Sequence, residues 1–113
     1  MDLRPGLTFL IPTGFAYAIP PDMAMYLLPR SGLGHKHGIV LGNLVGLIDS
    51  DFRDQVFVSA WNRASSWEPF RINHGDRIAQ AVFLPRLTPE IVEVDELDST
   101  ERGTGGFGST GTA

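Results

Sequence analysis

The sequence predicts an all-β domain, and two observations carry that prediction. Thirteen glycines and eight prolines are spread over 113 residues and leave little room for a long helix. Between them stand many short apolar or alternating runs, which are typical of a β-barrel or β-sandwich built from short strands. We therefore expect at most one short helix. A chain of 113 residues is enough for one domain and hardly for two.

The predicted strands follow one another between turn signals. Alternation is clearest from Gln55 to Asn62, where Val56, Val58 and Ala60 share one face. The run from 23 to 28 is too short to separate strand from helix by periodicity, but its flanking prolines favour a strand. The predicted strands are Leu7–Pro12, Phe15–Ile19, Met23–Leu28, Ile39–Leu41, Val45–Ile48, Gln55–Asn62, Phe70–Ile72, Arg77–Leu84 and Ile91–Val94.

Composition and charge exclude several classes of protein. Hydrophobic residues make up 42% of the chain, so a core can form. The net charge of −4 argues against general affinity for duplex nucleic acid or an anionic membrane, although local arginines and backbone N–H groups can still hold a nucleotide. The absence of cysteine excludes a disulfide framework, a thiolate zinc site and a cysteine nucleophile. We find no membrane-spanning run and no signal peptide, so we expect a cytoplasmic protein.

The C-terminal segment has a different character from the rest. Residues 95–101 are rich in acidic side chains, and residues 102–111, RGTGGFGSTG, contain five glycines. Such a tail is either a flexible terminus or a phosphate-binding loop, in which backbone N–H groups converge on an anion. Arg102 would add a bidentate partner for phosphate oxygens, and the ring of Phe107 could lie on a planar base.

Two carboxylates follow the predicted strand that ends at Ile48. Asp49 and Asp51 lie two residues apart, so in an extended segment they face the same side. Three interpretations stay open from the residues alone. They are solvated turn residues, metal ligands or, for one of them, a general base that activates water.

Two further turns place polar groups at strand ends. Arg30 and Ser31 supply a guanidinium and a hydroxyl, or else they form a simple turn with a surface arginine. The segment 75–80, GDRIAQ, places Asp76, Arg77 and Gln80 around the start of a strand, and the first two are alternatively a structural ion pair.

Histidine and tryptophan residues carry no functional prediction. The spacing of His35, His37 and His74 is unlike that of a zinc motif, so we do not expect a histidine metal site. Trp61 and Trp67 are interpreted as packing residues.

Taken in order, four segments resemble motifs two to five of the trimeric dUTPase family. Their sequences are especially similar to those of the bacterial members. They are PRSGLG at 29–34, GNLVGLIDSDFR at 42–53, GDRIAQ at 75–80 and RGTGGFGSTG at 102–111. The resemblance extends from about Leu7 to the end of the chain. It implies a jelly-roll-like β-barrel of the β-clip type over residues 1–98, and a flexible glycine-rich arm over residues 99–113 that closes over the nucleotide.

The same resemblance implies a function. The expected reaction is hydrolysis of dUTP to dUMP and pyrophosphate, which keeps uracil out of DNA and supplies dUMP for dTMP synthesis. The expected assembly is a homotrimer with shared active sites, and Mg²⁺ is bound mainly by the triphosphate. We expect no nucleic-acid or membrane partner. Two alternatives stay open: a non-catalytic relative that binds dUTP or dUMP, and an enzyme of the dCTP deaminase type, whose Arg-Ser-Ser-type motif is absent here.

The resemblance also assigns roles to the matching positions. Asp49 would be the general base that orients water toward the α-phosphorus. Asn43 and the hairpin backbone around it would read the uracil edge and exclude a 5-methyl group. Phe52 would pack under the deoxyribose, Phe107 would stack on uracil, and Asp2 would reach the metal through water. The other expected substrate-binding residues are Arg30, Ser31, Gly32, Gly46, Ile48, Gln80, Arg102, Gly106, Gly108 and Ser109.

The chain departs from the family pattern in three places. Met1–Arg4 resembles the back half of the first motif, so we expect the family's N-terminal strand and part of the next segment to be missing. That would expose backbone groups and apolar surface, and weaken folding, the trimer or activity. Phe52 stands where the family usually has Tyr, with the loss of one hydroxyl. Asp54 stands where the family usually has Gly, so we expect a small strain from left-handed backbone there.

Overall fold

The computed structural model describes residues 1–108 and 110–111, and most of its regular structure is β-strand. The eight strands are β1 (Asp2–Leu3), β2 (Thr8–Pro12), β3 (Met23–Pro29), β4 (Ile39–Leu41), β5 (Gly46–Ile48), β6 (Phe57–Asn62), β7 (Phe70–Arg71) and β8 (Ala79–Pro85). A five-residue π-helix, Leu33–His37, lies between β3 and β4. The predicted all-β class is confirmed. No helix in the described ranges is long and apolar enough to cross a membrane.

The strands form three small antiparallel sheets. Strand β6 lies between β2 and β4 in one sheet, and β3 lies between β5 and β8 in a second. The short strands β1 and β7 make the third. Within residues 1–108 and 110–111 no sheet closes into a barrel. The described chain therefore has sheets as the predicted fold requires, but these sheets do not close into a barrel.

The core lies between the two larger sheets. Strand β6 shows the alternation that the sequence predicts, with Val58 and Ala60 buried and Phe57 exposed. These buried side chains belong to one cluster with Met25 and Leu27 of β3. Because β3 is the central strand of its sheet and lines the core, its two ends have fixed positions, and the candidate site residues lie at those ends.

A buried asparagine joins the N-terminal segment to the core. Asn62 is 1% exposed. Its Nδ2 donates to the carbonyl of Leu3 at 2.9 Å, and its Oδ1 accepts from the N–H of Ala64 at 3.0 Å. The N–H of Gly6 donates to its backbone carbonyl at 2.7 Å. Both ends of the side-chain amide are thus satisfied, which makes its burial favourable.

Two predicted strands are wrong, and both lack a neighbouring strand to pair with. Residues 15–19 make one sheet contact, from the N–H of Val56 to the carbonyl of Phe15 at 2.9 Å, before two prolines follow. Residues 91–94 are exposed and form no strand in the described chain. The packing interpretation of Trp67 is also wrong, because its side chain is 98% exposed in the loop between β6 and β7.

The segment after β8 leaves the body of the protein. The N–H of Arg86 donates to the carbonyl of Asp22 at 2.8 Å, and residues 87–101 beyond it are all exposed. The radius of gyration is 19.2 Å, whereas a compact chain of this length has about 13 Å. The described chain is therefore a folded body with an extended arm.

Candidate active site

The pairing of β3 with β8 joins two of the candidate segments. Residues 30–32 follow β3 directly, and Gln80 of β8 lies opposite Leu28. The Nε2 of Gln80 donates to the carbonyl of Pro29 at 2.9 Å, and the Nη1 of Arg30 donates to the carbonyl of Arg77 at 2.8 Å. These contacts hold both side chains at one end of β3, and the other guanidinium N–H groups of Arg30 can bind an anion.

The turn before β8 is closed by a carboxylate. The Oδ2 of Asp76 accepts from the N–H of Asn73 at 2.8 Å, and the N–H of Asp76 donates to the carbonyl of Asn73 at 3.1 Å. In the described ranges Asp76 forms no ion pair with Arg77, so the alternative interpretation as a structural ion pair is wrong. Asp76 shapes the turn instead, and the exposed Arg77 joins Arg30 at the same strand end.

A tight turn between two sheets carries the candidate base-reading residues. Strand β4 belongs to the sheet of β6 and β5 to the sheet of β3, so residues 42–45 cross from one sheet to the other. Asn43 is exposed on this turn, and Gly46 begins β5. A Cβ placed on Gly46 would lie 3.1 Å from the Cβ of Leu27 and 3.6 Å from the Nδ2 of Asn43. The Leu27 side chain therefore occupies the space that a Cβ at Gly46 would need, and the Asn43 amide lies close by.

Asp49 and Phe52 share the turn that follows β5. The N–H of Phe52 donates to the carbonyl of Asp49 at 3.2 Å. Both carboxylates, Asp49 and Asp51, are exposed, and Phe52 is 40% exposed. A carboxylate and an aromatic ring are thus presented together to a ligand outside the chain.

The strain expected at Asp54 is absent, and this prediction was wrong. Among the described residues, the single non-glycine with positive φ is Leu44, at 66°. The Oδ1 of Asp54 instead accepts from the N–H of Gln55 at 2.6 Å. The sequence analysis did not predict the positive φ of Leu44. The signal was available, because the turn residues between Gly42 and Gly46 include no glycine that could adopt positive φ.

The candidate residues on β3 and its neighbours fall into two separate groups. Ile48 lies opposite Met25, so Asp49 is level with Ala24, whereas Arg30 lies six residues further along the chain of β3. At about 3.3 Å per residue the two groups are roughly 20 Å apart. The body of one chain therefore does not bring the candidate general base and the candidate phosphate ligands together.

The glycine-rich segment makes only local hydrogen bonds in its described part. The Nε of Arg102 donates to the carbonyl of Gly105 at 2.7 Å, and the N–H of Gly103 donates to Thr100 Oγ1 at 3.1 Å. Phe107 is fully exposed, and Gly106 and Gly108 are exposed. Ser109 lies outside the described residues. The arm side chains are thus free to meet a ligand elsewhere.

Asp2 belongs to a different sheet from the other candidate residues on strands. Its carboxylate forms an exposed ion pair with Arg71, across the pairing of β1 with β7. Over the ranges 1–108 and 110–111, no three His, Asp or Glu side chains cluster as a metal site would require. An ion at this site would need oxygen donors from a ligand in addition to those of the protein.

Among the described residues, two cavities have different linings. The larger, about 820 Å³, lies between the two large sheets, where Ile11, Tyr17 and Val58 form part of its wall and Arg77 and Gln80 lie at its edge. The smaller, about 420 Å³, is lined by the π-helix and by the segment after β6. His35 and His37 line the smaller cavity and His74 the larger, so the three histidines do not meet.

Comparison with known proteins gives a consistent result over nearly the whole chain. The sequence model of the dUTPase family matches residues 1–111. Deoxyuridine 5'-triphosphate nucleotidohydrolase of Shewanella piezotolerans is 59% identical over 113 residues, covering 99% of this chain and 73% of the relative. The Shewanella halifaxensis protein of the same name is 60% identical over 111 residues, covering 97% and 72%.

Solved structures agree with the sequence comparison. The dUTPase of Staphylococcus bacteriophage 80alpha, solved with dUpNHpp, has a TM-score of 0.84 and 28% identity, covering 99% of this chain and 80% of the phage protein. The dUTPase of phage phi11 of S. aureus, whose D-to-N variant coordinates a structural Mg(II) ion, has a TM-score of 0.78 and 26% identity, covering 88% and 79%. From its motifs, its sheets and these relatives, the chain belongs to the dUTPase family.

Proposed function

We propose that this protein hydrolyses dUTP to dUMP and pyrophosphate, as a dUTP diphosphatase. The observation that carries the proposal is the family match over residues 1–111, together with relatives at 59–60% identity that are named for this reaction. The phage 80alpha enzyme was solved with the dUTP analogue dUpNHpp, which supports a nucleotide substrate. None of these findings favours a non-catalytic relative or a dCTP deaminase. In the cell the reaction would keep uracil out of DNA and supply dUMP.

The attacking water would be held by Asp49. Its carboxylate is exposed at the end of β5 and can align a water molecule and accept its proton. The water attacks the α-phosphorus, and the bond to the β-phosphate breaks with release of pyrophosphate. Phe52, on the same turn, packs under the deoxyribose and obstructs a 2′-hydroxyl.

Uracil would be read by the turn between β4 and β5. The Asn43 amide is exposed on this turn, so it and the backbone groups of the turn can meet a pyrimidine edge. Backbone donors and acceptors would reject cytosine, because its exocyclic amine reverses the hydrogen-bond pattern.

The phosphate chain would be held by a second group of residues. Arg30, Ser31, Gly32 and Gln80 lie at the far end of β3, where an arginine fork and neutral donors suit phosphate oxygens. We propose that the arm, residues 99–113, adds Arg102 at the terminal phosphate and Phe107 over the uracil ring. Gly106, Gly108 and Ser109 would supply backbone donors.

The assembly would be a homotrimer whose sites are shared between subunits. The roughly 20 Å between Asp49 and Arg30 along β3 exceeds what two side chains can bridge around adjacent phosphate groups. A site that uses both groups therefore takes Asp49 from one copy and Arg30 from another. Exposed apolar side chains between β8 and the arm favour the same arrangement, since a neighbouring copy would cover them: Leu87, Ile91, Val92, Val94 and Leu97.

The residues present fit a magnesium ion held mainly by the substrate. Mg²⁺ is commonly bound by one or two carboxylates together with substrate phosphates, and Asp2 offers an exposed carboxylate oriented by Arg71. Asp2 would hold the ion through water. When bound, the ion would neutralise charge on the triphosphate as pyrophosphate leaves. We further propose that the enzyme works in the cytoplasm without a nucleic-acid or membrane partner.

The proposal is tested by pyrophosphate release from dUTP, dTTP, dCTP and UTP in parallel, with and without Mg²⁺. We expect rapid release from dUTP with Mg²⁺ and little from the other three. Equal release from all four, or none from dUTP by folded and assembled protein, would contradict it. Ammonia release from dCTP would indicate a deaminase instead.

A further inference from the structure

The turn between β4 and β5 contains two successive hydrogen-bonded turns. The N–H of Leu44 donates to the carbonyl of Leu41 at 3.0 Å, which closes a four-residue turn. The N–H of Val45 donates to the carbonyl of Asn43 at 2.8 Å, which closes a three-residue turn centred on Leu44. A three-residue turn of this kind with positive φ at its centre is rare and strained.

The strain falls on a residue that is poorly suited to it. Leu44 has φ of 66°, and no other non-glycine residue in the described ranges has positive φ. Its side chain is 69% exposed, so burial of the leucine does not explain the conformation. A strained backbone persists only where the surrounding structure forces it, and such residues concentrate in binding sites.

Contacts on both sides force this conformation. A Cβ on Gly42 would lie 2.6 Å from Thr8 Cγ2 and 2.9 Å from Ser59 Oγ, and the Gly42 N–H donates to the Ser59 carbonyl at 2.8 Å. A Cβ on Gly46 would lie 3.1 Å from the Cβ of Leu27, in the other sheet. The chain is thus fixed to two different sheets only four residues apart, and Leu44 absorbs the mismatch.

We propose that Leu44 is a specificity-determining residue: its strained backbone holds the Asn43 amide and the backbone of the turn rigid, so that the turn cannot widen for a 5-methyl pyrimidine. This inference rests on the proposed function, because it assumes that uracil is read here. A pocket rejects one added methyl group by about 10–200-fold at best, and only if its wall does not yield. The clamped turn supplies such a wall.

Two substitutions distinguish the contribution of the Leu44 backbone to specificity from that of its side chain. Leu44→Gly lets the turn relax and move, because glycine adopts positive φ freely but also many other conformations. Leu44→Ala removes most of the exposed side chain but keeps the Cβ and its conformational restriction. The readout is the ratio of Kd values for dTMP and dUMP, measured by calorimetry on the full chain, alongside thermal unfolding. Neither nucleotide is hydrolysed, so the readout does not depend on catalysis.

We expect the unchanged protein to prefer dUMP over dTMP by about 10²-fold, and Leu44→Gly to reduce that ratio about tenfold without lowering the Tm. Leu44→Ala should keep the ratio. An unchanged ratio in Leu44→Gly, an equal loss in Leu44→Ala, or no preference in the unchanged protein would overturn the inference. Selective binding that depends on Leu44 in a protein that does not hydrolyse dUTP would support this inference and refute the proposed function.

Discussion

The folded body and the C-terminal arm differ in where their contacts come from. Strands β1 to β8 pair with partners far along the chain, and their side chains form one buried cluster. From residue 99 to 111, the described hydrogen bonds join residues at most three apart. Residues 87–101 are exposed throughout. The body determines its own conformation, whereas a ligand or another copy must determine that of the arm.

This difference teaches how the site is divided. The body fixes the candidate base, the candidate uracil-reading turn and the candidate phosphate ligands near strand ends, but at two places about 20 Å apart. The arm brings an arginine and an aromatic ring that have no fixed place on the body. Changes in the body should therefore affect chemistry or folding, and changes in the arm should affect substrate capture without affecting folding.

The largest effect is expected from Asp49→Asn. The amide cannot accept a proton from water, so kcat should fall by about 10²–10⁴-fold while the Kd for dUMP stays within about threefold. Steady-state pyrophosphate release and calorimetry measure the two quantities. Asp51→Asn, on the same exposed turn, is the control and should keep most activity. An active Asp49→Asn enzyme would remove Asp49 from the role of base.

Deletion of residues 102–113 should have the next largest effect. Loss of the charge-assisted contacts of Arg102 and of the Phe107 ring should lower kcat/KM about 10–100-fold. The free energy of unfolding should not change, because the described part of this segment makes no hydrogen bond to the body. Glu101→Ala serves as the control for the adjoining part of the arm. An unaltered kcat/KM would show that the segment is only a flexible terminus.

Asn62→Ala tests the body without involving the site. The change leaves the Leu3 carbonyl and the Ala64 N–H without their partners, so we expect a loss of roughly 2–3 kcal/mol in the free energy of unfolding. Urea unfolding measures it. Asn73→Ala, on an exposed turn, should cost less than about 0.5 kcal/mol. Equal stability of the two variants would mean that the N-terminal segment is not held by Asn62.

The smallest effect is expected at the ion pair between Asp2 and Arg71. Both side chains are about half exposed or more, so Arg71→Gln should change stability by less than about 1 kcal/mol. If Asp2 holds Mg²⁺ through water, Asp2→Asn should raise the Mg²⁺ concentration needed for half-maximal activity, whereas Arg71→Gln should raise it less. Identical Mg²⁺ dependence in all three proteins would exclude Asp2 from the metal site.

The sequence predicted those parts of the fold that depend on local pattern. Strand β6 was predicted because its buried residues alternate, and β8 because an apolar run follows a turn signal. Residues 15–19 and 91–94 have similar patterns, but a strand also needs a partner, which the pattern does not specify. The ion pair of Asp2 with Arg71 and the hydrogen bond from Asn62 to Leu3 join residues 69 and 59 positions apart, so a local sequence pattern does not predict them.

The candidate site shows the same limit. Its candidate residues were predicted because four segments match family motifs. The register of β3 with β5 and β8 then shows that these residues lie near two strand ends. The strain at Leu44 was not predicted, because it arises from contacts of Gly42 and Gly46 with two different sheets. A sequence indicates which residues tolerate positive φ, but the tertiary contacts decide where it is imposed.

The most direct test of a divided site is complementation between two inactive variants. Asp49→Asn and Arg30→Ala are each expected to lose most dUTP hydrolysis. Mixed in urea at equal amounts and refolded together, they should recover roughly a quarter of the unchanged activity, because a quarter of shared sites would then combine an intact Asp49 with an intact Arg30 from another copy. Recovery near that level is what the divided site predicts. Mixed trimers with no more activity than the separate variants would contradict it, since both residues would then act within one chain.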